Sequence, residues 1–536
     1  MAKLTHTVEM KCWDTDHYND WVDITPDVVG TVHCTSGMTG TRLEDRVANV
    51  GVCTFDLNNS ASNSAGLAGR YSPNHANWSS ATDKIDEGTI IRVRFNFEEV
   101  TRAKWYGMIT GISPEPGTKL TQRTNITAND WMYQAATEKL KLKEYTTNKG
   151  LCSAMPLVIA DMQFLPLATQ FEYEMSTFPA IFDNIDYKTT AMEEFQKLAA
   201  SELGYVFVKH NIANDELLFS KGRTDRVPLA PLSQYSLPTS ACFEILDEDG
   251  TAILDEDGTN LLCDDAADIV FSDDQMELGY AYKPIYNYVT VTAHPRKVDA
   301  TAKVLFNLEN PILVKTGETI TGYRVTYRDP DGKATSVCGK DMVTPVATTD
   351  YLFNTAADGT GTNITADLVI VSTLGVSDSE FSFTNNNASD GYIFFFQLRG
   401  KGIYTYDAVS AFDQDTTSIT QYGKREFTFD MPYQADPSYM YVVAGRIIFN
   451  YKTPRQKAAS ISFIPGTDDE VQRFLCMDCD GNIHVEETQT AINSDHYIQG
   501  WSFDIIGYND VTGDIVNVTA YLFQKELTAY SIDEGF

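Results

Sequence analysis

Residues 419–455, ITQYGKREFTFDMPYQADPSYMYVVAGRIIFNYKTPR, decide the fold of this chain, because they encode a strand, a break and a capped helix. Residues 425–429 alternate polar and apolar side chains, which predicts a half-buried strand. Asp436 stands where an N-cap belongs, and Pro437 takes the first helical position, where its missing N–H costs nothing. Thr453 and Pro454 end the helix. Apolar residues at three- and four-residue spacing predict one buried helix face: Met440, Val443, Ala444, Ile447, Ile448 and Tyr451.

Further motifs occur upstream in a fixed order. Residues 286–292 read YNYVTVT, and residues 395–404 read FFQLRGKGIY. Shorter matches lie between them, at Val304-Leu305-Phe306, Gly317-Glu318-Thr319 and Tyr327-Arg328-Asp329-Pro330. With QYGKR at 421–425 and the helix after it, these stretches resemble the baseplate-hub (tail-hub) proteins of long-tailed bacteriophages, and the stretch 419–455 is similar to part of their second tube-like domain. The resemblance covers most of the chain, most strongly from about residue 280 onward.

The resemblance implies a virion structural protein, synthesised in the host cytoplasm and placed at the distal end of the tail. Two tube-like β domains per chain, repeated in a homotrimer, would form a pseudo-sixfold ring that continues the hexameric tail tube. That ring would contact tail-tube or distal-tail proteins above and spike, fibre or tape-measure proteins below, and genome DNA would pass without specific binding. The motifs describe an architecture and no reaction, so we expect no enzyme, no catalytic residue, no cofactor and no metal.

The expected fold class is mainly β with α+β modules, since 536 residues exceed what one hydrophobic core supports and the chain is rich in aromatic and β-branched residues. No stretch is long and apolar enough to span a bilayer, and the N-terminus does not read as a signal peptide. We divide the chain as follows: a first tube-like β-barrel domain at 1–112, a helix-plus-hairpin module at 113–240, an acidic hairpin linker at 241–283, a split second tube-like β-barrel domain at 284–295 and 394–536, and an inserted β-sandwich at 296–393.

Local patterns support this division. In the first domain residues 91–97 and 105–112 predict antiparallel strands, and a long exposed loop is expected at 60–86. In the module we predict a helix from 129 to about 141, and a second helix that starts with a capping box, Thr190 to Glu193. Two strands follow that helix, at 205–209 and 216–220.

The sandwich is predicted from short strands such as 312–314, 323–327 and 368–371, which alternate with turn signals. We expect residues 287–292 and 394–404 to be adjacent strands on either side of this insertion. The last strands are predicted at 501–506 and 516–523, where they would close the sheet of the second domain.

The net charge is −33, from 41 basic and 74 acidic residues. Tight nucleic-acid binding needs basic surface that releases phosphate counterions, so this balance argues against it. Two readings stay open: a negative wall would let DNA pass a channel without holding it, or the acidity only confers solubility.

The residue types that carry metal or nucleophile chemistry form no recognisable motif. Nine cysteines, an odd number at irregular spacing, are no disulfide framework, and Cys53 is expected to be a small buried hydrophobe. Cys476 and Cys479 lie near His484, but zinc needs a second ligand pair, so we expect two thiols flanking a hairpin with its turn at 480–482. One further cluster, Asp14, Asp16 and His17, lacks a remote partner.

An acidic octapeptide, ILDEDGTA at 245–252, recurs as ILDEDGTN at 253–260. Neither copy has the oxygen ligands of a calcium loop, whereas Asp-Gly between apolar residues is a hairpin signal. We therefore expect acidic hairpins, which could serve as an attachment point for a neighbouring protein.

Two other functions remain as alternatives. The first is a receptor-binding or carbohydrate-binding tail protein, with aromatic side chains such as Trp78 or Trp105 on exposed loops. The second is a tail-associated cell-wall hydrolase that uses a carboxylate pair, although GxSxG and GxxxxGK[ST] motifs are absent from the sequence.

Overall fold

A computed structural model describes residues 2–11, 21–38, 43–79, 84–98, 100–116, 122–142, 145–171, 177–182, 188–210, 216–220, 232–233, 243–244, 262–263, 276–479, 481–487 and 492–524. Strands make up 49% of it and helices 17%, so the predicted mainly β fold class is confirmed. The acidic repeat at 245–260 and the cluster of Asp14, Asp16 and His17 lie outside the described residues.

The N-terminal strands form one antiparallel array in the order β3-β4-β7-β6-β5-β1-β2. Their bounds are β1 Thr5–Lys11, β2 Trp21–Asp23, β3 Val28–Gly37, β4 Val52–Asn58, β5 Ile90–Phe97, β6 Val100–Pro114 and β7 Arg123–Asn129, with a short helix α1 at Ala76–Ser79. The two strands predicted here are confirmed: β5 and β6 are antiparallel, and β5 buries every second residue from Ile91 to Phe97.

The helix-plus-hairpin region packs beside this array. Its elements are α2 Met132–Thr137, β8 Thr146–Gly150, α3 Leu151–Asp161, β9 Ala168–Phe171, β10 Thr177–Ile181, α4 Ala191–Glu202, β11 Tyr205–Lys209 and β12 Glu216–Ser220. The capping box at Thr190 and Glu193 is confirmed, as are both strands after it. The helix predicted to reach residue 141 is wrong in length, because the chain becomes extended at Glu138 and Leu140 N then donates to the Thr189 carbonyl.

Four further strands precede the insertion: β13 Leu232–Ser233, β14 Phe243–Glu244, β15 Leu262–Cys263 and β16 Met276–Lys283. The sandwich follows β17 Tyr288–Ala293. Its strands are β18 Arg296–Val298, β19 Lys303–Asn307, β20 Ile312–Val314, β21 Thr319–Thr326, β22 Ser336–Val343, β23 Tyr351–Asn354, β24 Leu368–Leu374, β25 Asp378–Asn385 and β26 Gly391–Thr405. The long β26 pairs with five of them, and edge-to-face contacts of Phe381 and Phe383 with Phe396 fill the space between the two sheets.

In the stretch that opened the sequence analysis, the predicted strand and capped helix are confirmed, but residues 419–422 lie in a helix that was not predicted. The stretch comprises α5 Thr416–Tyr422, β28 Glu426–Met431 and α6 Pro437–Tyr451, preceded by β27 Val409–Gln414. Asp436 caps α6 by accepting from Ser438 N at 2.8 Å, and the whole predicted apolar face is buried.

The neighbours of β17 differ from the expectation. It pairs with β27 on one side and with β28 on the other, so both of its edges are occupied. The predicted adjacency of 287–292 and 394–404 is therefore wrong, and residues 394–404 belong to β26 in the sandwich. The division into domains remains a prediction.

The C-terminal elements are β29 Arg455–Phe463, α7 Asp468–Cys476, β30 Asn482–Glu487, β31 Ile492–Asn509 and β32 Gly513–Gln524. Both predicted strands are present, within β31 and β32, and the two strands pair antiparallel. The same β31 also pairs with β3, so strands from the two ends of the chain share one sheet of 13 strands.

Candidate functional site

The junction of the two chain ends is the structural centre of the molecule. β3 pairs with β31 from Val32 opposite Ile505 to Gly37 opposite Gly500. A Cβ added at Gly37 would lie 2.5 Å from the Gly500 Cα, and one at Gly500 would lie 2.7 Å from the Ser36 carbonyl oxygen. Only glycine fits this close approach of two backbones.

A second contact closes the sheet on itself. Leu4, just before β1, forms a parallel bridge with Gly513 at the start of β32, and Leu4 N donates to the Thr512 carbonyl at 3.1 Å. We call the ring of strands β1, β5, β6, β7, β4, β3, β31 and β32 the closed sheet. One His–Asp contact lies at each of its two joins: His33 Nδ1 is 2.7 Å from Asp504 Oδ1, and His6 Nδ1 is 2.8 Å from Asp514 Oδ2.

Side chains fill the interior of the closed sheet. Phe95 and Phe503 meet edge-to-face with centroids 5.5 Å apart, and Phe474 from α7 packs edge-to-face on both. Trp501 stacks on Phe503 at 5.5 Å, and all four rings are buried. The closed sheet thus surrounds a packed aromatic core.

Three buried polar side chains meet beside this core. Ser36 Oγ lies 3.0 Å from His210 Nε2, and Asp130 Oδ2 lies 3.9 Å from the same nitrogen. The His210 ring stacks on Trp105, and Asp130 Oδ1 accepts from Met132 N at 3.0 Å. Burial raises the pKa of the Asp130 carboxyl to about 7 and lowers the pKa of the His210 imidazole to about 3.

Serine, histidine and aspartate are the residue types of a hydrolytic triad, but this geometry is different. In a triad the carboxylate holds one imidazole nitrogen and the hydroxyl meets the other. Here Ser36 and Asp130 both approach Nε2, and Ser36, Asp130 and His210 are at most 2% exposed. A substrate therefore cannot reach them, and their contribution is structural.

A β-bulge adds a buried cation to the same region. In β6, Trp105 pairs with Val93 and Ala103 pairs with Arg94, so Lys104 is the extra residue and both Lys104 and Trp105 point inward. The Lys104 ammonium donates to the Met477 carbonyl and lies 5.1 Å from the centroid of the Trp501 ring. Burial lowers its pKa to about 8, although the charge of Asp478 acts in the opposite direction.

Asp478 connects this cation with the polar cluster, because its Oδ2 accepts from His210 N at 3.3 Å. Strand β6, the α7–β30 connection and the end of β11 are thereby tied together. No local pattern predicts this arrangement, since the participating residues lie far apart in the chain and match no motif.

The helix-plus-hairpin region holds the 419–455 stretch in place. Tyr433, which follows β28, donates through its hydroxyl to Glu194 Oε2 at 2.5 Å, and its N–H donates to Ser201 Oγ at 2.9 Å. Arg46 donates to the Leu203 carbonyl at 2.5 Å, and its guanidinium lies 6.0 Å from the Phe429 ring centroid. Helix α6 itself packs on β17 and β27 of the small three-stranded sheet, and its buried face belongs to a core cluster that also contains Tyr497 of β31 and Phe523 of β32.

Two predictions about individual residues are wrong. Trp105 is fully buried in β6 and lies on no loop, while Trp78 is half-buried and donates to the Ile85 carbonyl. Cys476 ends α7, and β30 at Asn482 is preceded by that helix, so the two thiols flank no hairpin. Cys53 is buried as predicted.

Among the described residues, no group of three or more His, Cys, Asp or Glu side chains is placed to hold a metal ion. No helix within the same ranges is long and apolar enough to cross a membrane.

The chain matches no protein-family model, and no curated protein matches its sequence. Among solved structures it is similar to the 43 kDa tail protein of prophage MuSo2 from Shewanella oneidensis, with 8% identity, a TM-score of 0.43, and coverage of 96% of this chain and 98% of that one. It is also similar to a tail protein from Neisseria meningitidis, with 7% identity, a TM-score of 0.43, and coverage of 97% and 96%. A prophage tail protein from Listeria monocytogenes has 8% identity and a TM-score of 0.39, with coverage of 96% and 94%. All three solved structures are of tail proteins.

Proposed function

We propose that this protein is a structural hub at the distal end of a phage tail, where three copies form a pseudo-sixfold ring that continues the tail tube. The observation that carries the proposal is the pairing of β3 with β31, because it joins an N-terminal and a C-terminal set of strands into one continuous wall. A ring built from such chains needs a β-sheet wall that is continuous within each chain as well as between neighbouring chains.

Two features of the closed sheet support a ring. Its interior is packed, so a passage for DNA has to lie between copies and not within one. On its outside, β32 also pairs with β29, and β29 pairs with β16; among the described strands β16 has no second partner, and we expect a neighbouring copy to cover its other edge. Covered edges also prevent open-ended strand association.

The partners and location follow from that role. We expect tail-tube or distal-tail proteins on one face of the ring, and spike, fibre or tape-measure proteins on the other. The net charge of −33 suits a passage from which DNA is repelled. A role in assembly requires no reaction, so we expect no enzyme.

Electron microscopy of the purified full-length protein tests the proposal, with its mass in solution measured by light scattering. A mass of three chains and threefold rings with a central opening are expected. Elongated single chains at every concentration, both alone and with tail-tube protein, would contradict it.

One surface favours a second candidate function, glycan or receptor binding. On the outer face of the small sheet, Phe412 is 55% exposed and stacks on Tyr288 with centroids 5.4 Å apart. The Lys424 ammonium lies 3.6 Å from the centroid of the Tyr288 ring. Exposed aromatic rings are a common platform for planar or apolar ligand faces.

A glycan array separates the two candidates. If this surface binds glycans, wild type should bind, Phe412→Ala should lose binding, and Tyr441→Ala should keep it, because Tyr441 is also exposed (61%) but lies on helix α6. An array without binding would leave the hub as the sole proposal.

A further inference from the structure

Two cysteines face each other across the first pair of strands in the closed sheet. Cys34 on β3 is the register partner of Cys53 on β4. The Cys34 thiol donates to Cys53, and the two Sγ atoms are 3.2 Å apart. Both side chains are fully buried.

We propose that Cys34 and Cys53 are an oxidation site, at which hydrogen peroxide converts the two thiols of the folded protein into a cross-strand disulfide. Directly opposed residues of antiparallel strands have Cα atoms about 4.5–5.5 Å apart, which falls inside the range that a disulfide spans. The sulfur atoms need to close from 3.2 Å to about 2.05 Å, a movement available to side-chain rotation.

The chemistry balances with peroxide as the oxidant. One thiol loses its proton, its sulfur attacks a peroxide oxygen, and the O–O bond breaks; the product is a sulfenic acid, and the departing hydroxide takes up the proton as water. The second thiol then attacks the sulfenic sulfur, the S–O bond breaks, and a second water leaves. Two thiols and one peroxide thus give one disulfide and two waters.

Burial limits which oxidants can reach the two thiols, and it also slows their oxidation. A fully enclosed site can admit a molecule as small as peroxide, but it excludes a bulky disulfide such as oxidised glutathione. Burial and the neighbouring Cys53 raise the pKa of the Cys34 thiol, so little thiolate is present and oxidation should be slow. The thiols would stay reduced in a cytoplasm and oxidise only during long exposure outside it.

The bond would lie at a structurally important place. Cys34 is also the register partner of Phe503 on β31, and Cys53 is that of Ala128 on β7. A cross-link here would fix β3 at the join between the chain ends. This inference does not depend on the hub proposal, since it requires only the fold.

The test uses the full-length protein, purified reduced, with accessible thiols alkylated under native conditions before peroxide is added. We expect a non-reduced digest to contain one peptide pair linked through Cys34 and Cys53, with the mass of two hydrogens lost. The melting temperature should rise by about 2–4 °C and return on reduction. Cys53→Ser should lose both effects, whereas Cys479→Ser, a buried cysteine in the α7–β30 connection, should keep them.

Absence of the linked peptide from native protein overturns the proposal, as does a link that forms only after denaturation or joins other cysteines. If circular dichroism shows that a variant is unfolded, the digest of the wild-type protein alone still tests whether the disulfide forms. Protein whose cysteines were all alkylated in denaturant cannot form the disulfide, so its digest gives the baseline for the linked peptide pair.

Discussion

At the scale of single residues, the Asp130 carboxyl makes stability depend on pH. Its folded pKa is about 7, against 3.8 as the ordinary value, because burial disfavours the charged form. Between these pH values the folded protein keeps a proton that the unfolded chain has released, so the free energy of unfolding falls as pH rises from about 4 to about 7. Above pH 7 the full penalty is present, on the order of 4 kcal/mol.

Asp130→Asn removes this titration and keeps an oxygen to accept from Met132 N. We expect the variant to be more stable than wild type at pH 8, by about 1–3 kcal/mol, with the difference shrinking toward pH 4. Urea unfolding of both proteins across this range measures it. His210 has the opposite effect, since its lowered pKa reduces the free energy of unfolding as pH falls below about 6.5. Subtracting the wild-type free energy of unfolding from that of the variant at each pH removes this contribution.

Asp407→Asn, at an exposed carboxyl, is the control for the removal of one carboxylate charge. A difference at Asp130 that is the same at every pH would contradict the buried-carboxyl explanation.

The residues around Asp130 show where prediction from sequence stops. Alternation correctly places Phe95 and Cys53 in the core, because a strand period of two is local. Alternation fails at Lys104 and Trp105, because the bulge at Lys104 leaves these two neighbouring side chains both buried. The contact of Ser36 with His210 spans 174 residues, so it depends on the tertiary fold and on no local pattern.

At the scale of elements, the helix face of α6 was predictable because helical spacing and a cap are both local. Met440 is fully buried and its neighbour Tyr441 is 61% exposed, so the two make a matched pair. Met440→Ala should lower the free energy of unfolding by about 2–4 kcal/mol through lost packing and the cavity left behind. Tyr441→Ala should change it by less than about 0.5 kcal/mol. Chemical denaturation measures the free energy of unfolding of both variants. Equal losses in the two would contradict the assignment of Met440 to the buried face of α6.

The cap of α6 is a separate prediction. Asp436 accepts from Ser438 N at 2.8 Å, and Asp436→Ala leaves this N–H without its side-chain acceptor. We expect a loss of about 1 kcal/mol, with Asp436→Asn close to wild type, since asparagine also caps well. Thermal unfolding of the three proteins measures the loss. An Asn variant as unstable as the Ala variant would show that charge, and not capping, matters here.

Pairing between elements was harder to predict than the elements themselves. The motifs at 286–292 and 395–404 both form strands, but the two strands do not pair with each other. β17, which contains most of the first motif, pairs with β27 and β28. An alternating pattern indicates which face of a strand is buried, but it does not indicate which strands pair with its two edges. The sandwich inserted between β17 and β27 separates these partners in sequence, so order along the chain was a poor guide.

At the scale of the whole molecule, the closed sheet depends on contacts between chain ends 471 and 508 residues apart, those of His33 with Asp504 and of His6 with Asp514. The sequence predicts strands at both ends but contains no signal that they meet. Closure matters for the proposed ring, because it gives each copy a rigid, packed wall segment before any copy meets another.

Assembly of such copies has to overcome their charge. Each chain carries −33, so three copies repel one another, and added salt screens that repulsion. We expect the trimer to be favoured as NaCl rises from about 50 to about 500 mM, because contacts that hold a ring of acidic chains together must be mainly apolar or backbone pairing. Light scattering after size-exclusion chromatography at fixed protein concentration measures the average mass. A mass that falls with salt would mean that ion pairs hold the copies together, and it would contradict contacts that are mainly apolar or made by strand edges.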